Sequence, residues 1–242
     1  MIRRPATAAT SVVLVGVAIV SASCIDLSKV AVCPVPAGEG GVKVCASGFR
    51  PADDGLVDDF EDGDSQVSRV ADRAGYWFTS HDPNGSSMTP TPFKVSDDGA
   101  GSKKALHVFG HTSGDNGAWG ALVGTGFVEH GVYDASDYAG VSFKAKVGGD
   151  STKAIRFNVA DVNTHPDGGV CKTCWNHFGK DMQFTSEWRE YVVSFAEIQQ
   201  QSGWGDRFGA VTPSKLIALN WSIGPGKDYD LWIDDVQLVT CK

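Results

Sequence analysis

Beyond the first twenty residues, no stretch of this 242-residue chain approaches the roughly 20 consecutive apolar residues that a membrane-spanning helix needs. No internal repeat and no long amphipathic helical pattern are visible, which argues against solenoids and helical bundles. Positive charge is also scarce. Twenty-one Lys and Arg face 29 Asp and Glu, for a net charge of −8, and an acidic chain has no electrostatic reason to bind nucleic acid or anionic lipid. Common catalytic signatures are missing as well. There is no Gly-x-Ser-x-Gly elbow, no His-Glu-x-x-His helix and no Glu-x-Asp-x-x-Glu strand, so the usual serine-hydrolase, zinc-peptidase and jelly-roll glucanase arrangements find no support.

Export is the first positive reading. Arg3 and Arg4 precede an apolar run from Ala9 to Val20, and Ser21-Ala22-Ser23 follows as a small-residue exit before Cys24. This is the layout of a secretory signal peptide over residues 1–23. Its removal takes the net charge from −8 to −10, because two arginines and no acids leave. The same small residues fit lipid attachment at Cys24, a membrane tether, although Ser21 stands where a lipoprotein signal carries an aliphatic residue. The expected location is therefore secreted or cell-surface. Unlipidated, Cys24, Cys33, Cys45, Cys171, Cys174 and Cys241 can form three disulfides in an oxidising compartment; lipidated, one is left over. Cys171 and Cys174 are close enough to bridge each other, and Cys241 has Cys33 or Cys45 within reach of the N-terminal segment. Zinc held by Cys171, Cys174 and His177 is the competing reading, weakened by the lack of a second Cys-x-x-Cys.

Residues 24–54 carry Pro34, Pro36, a Gly38–Gly41 cluster and three cysteines with little periodicity, and read as a lead-in segment. Residues 55–242 are long enough for one sizeable core. Their short apolar alternations, punctuated by Gly, Pro, Asp and Asn, predict an all-β protein, a β-sandwich or jelly roll of two antiparallel sheets. The alternation is clearest at 141–147, 155–159 and 217–223. There the odd positions are apolar, and Arg156, Asn158 and Asn220 fall on the opposite face. Strands are also expected at 104–110, 117–123, 181–184 and 188–195, with a helical turn at 197–201.

A sheet face bearing Arg156, Asn158 and Asn220 among small residues suits a sugar chain. Hydroxyls need convergent donors and acceptors, and a pyranose ring packs on an aromatic plane. Trp77, Trp119 and Trp175 lie in turn-rich or Gly-flanked sequence and are the candidate aromatic contacts; Trp188, Trp221 and Trp232 read as packing residues. His107 alternates with Leu106 and Val108 and is a candidate for the same polar face, and His177 joins the list through its loop.

Two acidic segments frame the domain, Leu56-Val-Asp-Asp-Phe-Glu-Asp62 and Leu231-Trp-Ile-Asp-Asp-Val-Gln-Leu238. Together with Gly75-Tyr-Trp-Phe78, Ala118-Trp-Gly120, Gly140-Val-Ser-Phe143 and Trp188-Arg-Glu-Tyr191, they give residues 55–240 a motif order that resembles carbohydrate-binding β-sandwich domains related to the family 11 modules and to the wider galactose-binding-like jelly rolls. The resemblance implies a structural calcium where the first and last strands meet, held here by Asp59, Glu61 and Asp235. Asp234 would then face solvent unless a β-bulge exchanges the two. It also implies glucan binding on the concave sheet by Arg156, Asn158 and Asn220. The several exposed tyrosines of family 11 are missing, and the loop from Cys171 to Gly179 is an addition of this chain.

The expected function is non-catalytic binding of a neutral, glucan-like polysaccharide. A hydrolase using carboxylates such as Glu129, Asp134 or Asp161, or a lyase pairing His107 or His177 with Tyr133, is the enzymatic alternative. A surface lipoprotein with a structural or protein-binding role is the third.

Overall fold

The computed structural model describes residues 41–242 together with two short strands, β1 (Ile25–Leu27) and β2 (Val30–Val32), which pair antiparallel. The expected signal peptide, Cys24 and Cys33 lie outside the described residues. The remaining strands are β3 (Phe49–Asp58), β4 (Trp77–His81), β5 (Ser87–Thr89), β6 (Val95–Ser96), β7 (Ala105–His111), β8 (Ala121–Gly126), β9 (Gly140–Val147), β10 (Ala154–Asp161), β11 (Phe178–Gln183), β12 (Arg189–Ser194), β13 (Leu216–Ile223) and β14 (Asp228–Cys241). They form two antiparallel sheets. One has five strands in the order β11-β10-β13-β8-β4. The other has seven, β12-β9-β14-β7-β5, with β3 beside β14 and β6 beside β7. This is the predicted β-sandwich.

Alternation builds the core as expected. Val141, Phe143, Ala145 and Val147 of β9 are buried, as are Ile155, Phe157 and Val159 of β10 and Leu219, Trp221 and Ile223 of β13. Trp221 is fully buried and links the sheets. Its ring meets Phe143 edge-on at 5.1 Å and Phe157 at 5.2 Å, and stacks on Trp77 at 5.8 Å. Each aromatic pair of this kind adds about 0.5–1.5 kcal/mol beyond the burial itself. Trp77, expected as a ligand contact, therefore belongs to the core. Its indole N–H donates to the buried Asp58 at 2.7 Å, because Trp77 alternates inward where Tyr76 and Phe78 alternate outward.

The long last strand organises the seven-stranded sheet. β14 keeps β9 on one side; on the other it pairs first with β7 and then, past a register shift, with β3. The shift falls at Asp234–Asp235, with Asp235 at φ 47°, a left-handed conformation that marks a bulge. A disulfide joins Cys45 to Cys241 at the end of β14. β3 begins at Phe49, so the sheet reaches back into the stretch read as a lead-in. The 197–201 segment forms no helix; Gln199 instead bridges Gly179 at the edge of β11.

Candidate functional site: the outer face of the five-stranded sheet

Strand register places one residue from each strand in a row across the outward side of the five-stranded sheet: Phe78, Gly124, Asn220, Asn158 and Gly179. The next outward row is Ser80, Leu122, Ser222, Arg156 and Asp181. Two glycines shape the first row. A Cβ on Gly124 would overlap the Asn220 Oδ1, and one on Gly179 would overlap the Asn158 Oδ1. The asparagine amides therefore lie flat over the neighbouring strands, and the floor stays shallow.

The polar groups of this floor hold one another. Asn158 Oδ1 accepts from Arg156 Nε at 3.0 Å, while Asn158 Nδ2 donates to Ser222 Oγ at 2.9 Å. The Arg156 guanidinium crosses β11 to donate to Asp181 Oδ1 at 2.9 Å and to the Gln199 carbonyl at 2.6 Å. Asn220 differs. The residue is only 5% exposed, and its Oδ1 lies buried over Gly124 with no hydrogen-bond donor among the described residues. An unmet buried carbonyl costs about 1–3 kcal/mol. Arg156, Asn158 and Asn220 thus do share one face.

Aromatic side chains stand at its margins. Phe78, on the edge strand β4, and Tyr76, just before it, are 40% and 42% exposed. Trp204 stands beyond the opposite edge, on a cleft of about 610 Å³ whose walls include Arg156, Gly179, Asp181, Glu197 and Gln199. Trp175, 60% exposed and at φ 78°, follows the Cys171–Cys174 disulfide, an uncommon conformation for a bulky residue. The disulfide replaces the zinc reading of that loop. Beside it, His177 is buried and hydrogen-bonded to Thr164 Oγ1 at 2.9 Å, and burial lowers its pKa to about 3, leaving it neutral. Trp119 is exposed in the loop leading into β8, three residues before Leu122.

His107 lies on the other sheet. β7 belongs to the seven-stranded layer, where His107 stacks on Trp232 at 3.8 Å and pairs with Asp230 at 2.6 Å, so it cannot share a ligand face with Asn158. Period-two alternation says which residues share one side of a strand, but not which sheet the strand enters.

The acids at the chain ends have partners of their own. Glu61 Oε1 accepts from the backbone N–H groups of Lys103 and Lys104 at 2.9 and 2.7 Å, and Asp59 Oδ1 accepts from Glu61 N. Asp235 pairs with Lys144 at 2.7 Å, which raises the lysine pKa, and the Lys144 ammonium also donates to the Ala100 carbonyl. Asp234, expected to face solvent, is fully buried. It accepts from Ala100 N, Ser102 Oγ and Asp235 N, the exchange that a bulge allows, and burial raises its pKa. Among the described residues no three acidic, histidine or cysteine side chains converge as a metal site. One oxygen of each of Asp59, Glu61 and Asp235 is engaged by an N–H donor or an ammonium, and the Lys144 ammonium beside Asp235 opposes a cation there.

Two carboxylates of the hydrolase alternative are already engaged. Asp161 is fully buried and saturated by Asn163, Thr164 and Thr212, and Asp134 accepts from the Ser136 N–H in a loop. Tyr133, the expected lyase partner, is buried and receives a hydrogen bond from Arg73 at 2.7 Å.

No protein-family model matches the sequence, and no curated protein does. Solved structures do match the fold. The family 11 carbohydrate-binding module of the cellulosomal cellulase Lic26A-Cel5E of Clostridium thermocellum aligns over 81% of this chain and 96% of its own, with a TM-score of 0.54 and 16% identity. A family 11 module from the same organism, in complex with a β-1,3-1,4-mixed-linked tetrasaccharide, aligns over 78% and 98% with a TM-score of 0.52 and 16% identity. A family 30 carbohydrate-binding module gives a TM-score of 0.52 at 11% identity, over 74% and 95%. The likeness read from the framing motifs is thus a likeness of fold: this chain has the β-sandwich of the family 11 and family 30 carbohydrate-binding modules.

Proposed function

We propose that this protein binds a neutral, glucan-like polysaccharide on the outer face of its five-stranded sheet and does not cleave it. The observation that carries this reading is the shallow amide floor of Asn158 and Asn220, kept open by Gly124 and Gly179 and bordered by exposed aromatic rings. A sugar chain offers alternating apolar ring faces and hydroxyls, and such a surface complements both. A ligand hydroxyl that reaches Asn220 Oδ1 would supply the donor it lacks among the described residues. Neutrality follows from the charge pairing: Asp181 is held by Arg156, and Glu197 by Lys180 at 2.8 Å. The same pairing supports binding over hydrolysis, because a glycosidase needs one free carboxylate and one protonated acid flanking the bond.

Export belongs to the same proposal. It is supported by the N-terminal apolar run and by two disulfides, bonds that persist in oxidising compartments. Calorimetry with mixed-linkage β-1,3-1,4-glucan and cello-oligosaccharides tests the function. Asn158→Ala and Asn220→Ala are each expected to weaken binding about tenfold, the scale of a central contact. New reducing ends on prolonged incubation with the same polymers would instead establish an enzyme.

A further inference from the structure

The cleft at the β11 edge is walled by Arg156, Gly179 and Asp181 on the sheet and by residues 197–204, and the 199–208 segment is buttressed by the loop 171–177. The two segments are tied together by backbone and buried amide contacts. Asp206 Oδ2 accepts from Lys172 N at 2.6 Å and from Thr173 N at 3.3 Å, and Asp206 N donates back to Thr173 O at 3.0 Å. Asn176, 2% exposed, donates from Nδ2 to the carbonyls of Gln201 and Trp204 at 2.9 and 2.7 Å, and its Oδ1 accepts from Gln201 N. Gln200, also buried, donates to the carbonyls of Asn176 and Asp206 and accepts from Phe208 N. Gly205 lets this turn close. It takes φ 68°, and a Cβ there would lie 2.7 Å from the Asn176 Cβ.

Burying two primary amides is costly unless their hydrogen bonds are made, and here three or more are made by each. The product of this organisation is a half-exposed indole. Trp204 is 45% exposed on the cleft, with its Nε1 turned toward Gln201 Oε1 at 3.3 Å. Gly179, the last residue of the amide row, is also in the cleft wall, so cleft and sheet face are continuous. In the same cleft, the Arg156 guanidinium is held by three acceptors, Asn158 Oδ1, Asp181 Oδ1 and Gln199 O. Those acceptors take three of its five N–H groups, and the other two remain for a ligand.

We propose that this cleft is a preformed pyranose subsite that extends the sheet face. Trp204 stacks on the sugar ring and Arg156 donates to its hydroxyls. Asn176, Gln200 and Asp206 are positioning residues that hold the Trp204 turn. The inference rests on the polysaccharide-binding reading above and adds a specificity-determining contact to it.

The test titrates the full chain with mixed-linkage β-1,3-1,4-glucan and with its tetra- and hexasaccharides, following tryptophan fluorescence and heat. Trp204→Ala is expected to bind the polymer and the hexasaccharide about tenfold more weakly, with loss of the ligand-induced fluorescence change. Trp204→Phe restores most of the affinity. Asp206→Ala weakens the hexasaccharide several-fold with an unchanged melting temperature, a split that a merely structural residue would not give. Wild-type affinity in Trp204→Ala, alongside loss of binding in Asn158→Ala, overturns the subsite and leaves the sheet reading intact. Full affinity in Asp206→Ala overturns the positioning role alone. If the unaltered protein binds none of these glucans, both readings fall.

Discussion

The two outer faces of the sandwich carry polar residues at alternate positions, yet they end in opposite states. On the seven-stranded sheet the side chains consume one another. Trp232 stacks on His107 at 3.8 Å and carries Lys146 over its ring at 4.7 Å; the same ammonium lies 5.0 Å from Trp188 and pairs with Asp98 at 2.6 Å. On the five-stranded sheet the central row is Gly124, Asn220, Asn158 and Gly179, one amide oxygen is unmet among the described residues, and the aromatic rings stand at the margins. Long Lys, His and Trp side chains reach across neighbouring strands and close a face, whereas Gly, Asn and Ser leave it open. The first face is structural and the second is available.

The disulfides sharpen this contrast most strongly. Cys45–Cys241 spans a sequence separation of 196 and belongs to the closed sheet, while Cys171–Cys174 spans 3 and belongs to the open side. Chain-entropy arguments put the first at about 5 kcal/mol and the second below about 2 kcal/mol. Replacing both members of each pair by serine should therefore shift the denaturation midpoint mainly for Cys45 and Cys241, and change glucan affinity mainly for Cys171 and Cys174. A second crossing exchanges the faces. Trp232→Ala should lose about 2 kcal/mol of stability with binding intact, and Asn220→Ala should lose binding with stability within about 1 kcal/mol of the parent. The reverse pattern would erase the distinction.

Smaller effects follow at the bulge of β14. Lys144→Met removes the partner of Asp235, a partly exposed pair worth about 1 kcal/mol at most. Because the chain-end acids already have protein donors, a chelator should leave the melting temperature unchanged; a clear drop would restore the calcium expectation. The smallest net effect is that of pH. Burial raises Asp58 from 3.8 to about 7, so its stabilising contribution is complete below pH 3.8 and is lost as pH rises through 7. Burial lowers His177 from 6.5 to about 3, so its contribution is present above pH 6.5 and is lost as pH falls toward 3. Between about pH 4 and 6.5 the two slopes oppose each other. His177→Gln should expose the Asp58 slope, with the melting temperature rising on acidification across that window.

Much of this architecture was legible along the chain. The alternations at 141–147, 155–159 and 217–223 became β9, β10 and β13, with Arg156, Asn158 and Asn220 on the outward side. The disulfides Cys171–Cys174 and Cys45–Cys241 were among the pairings that spacing and segment placement allowed. Other elements shifted: β8 begins at Ala121 after a glycine-flanked loop, and β11 begins at Phe178. Among the aromatic candidates, Trp77 turned inward, while Phe78 and Trp204 had not been singled out. Phe78 was available from the parity of Gly75-Tyr-Trp-Phe78, since one inward tryptophan turns both its neighbours outward. Trp204 carried no such signal. Its exposure comes from a turn closed by Asn176, nearly thirty residues earlier in the chain.

The amino-acid sequence by itself determined the all-β class, the strands and the side of each strand that is polar, because period-two alternation is a property of neighbouring residues. Tertiary structure alone decided which polar side remains open. That choice put His107 and Asn158 on different sheets, turned Asp234 inward through a bulge, and set the Asn220 amide over Gly124. Each of these depends on strand register and on side chains reaching across it, and pairing between segments distant in the chain supplies both.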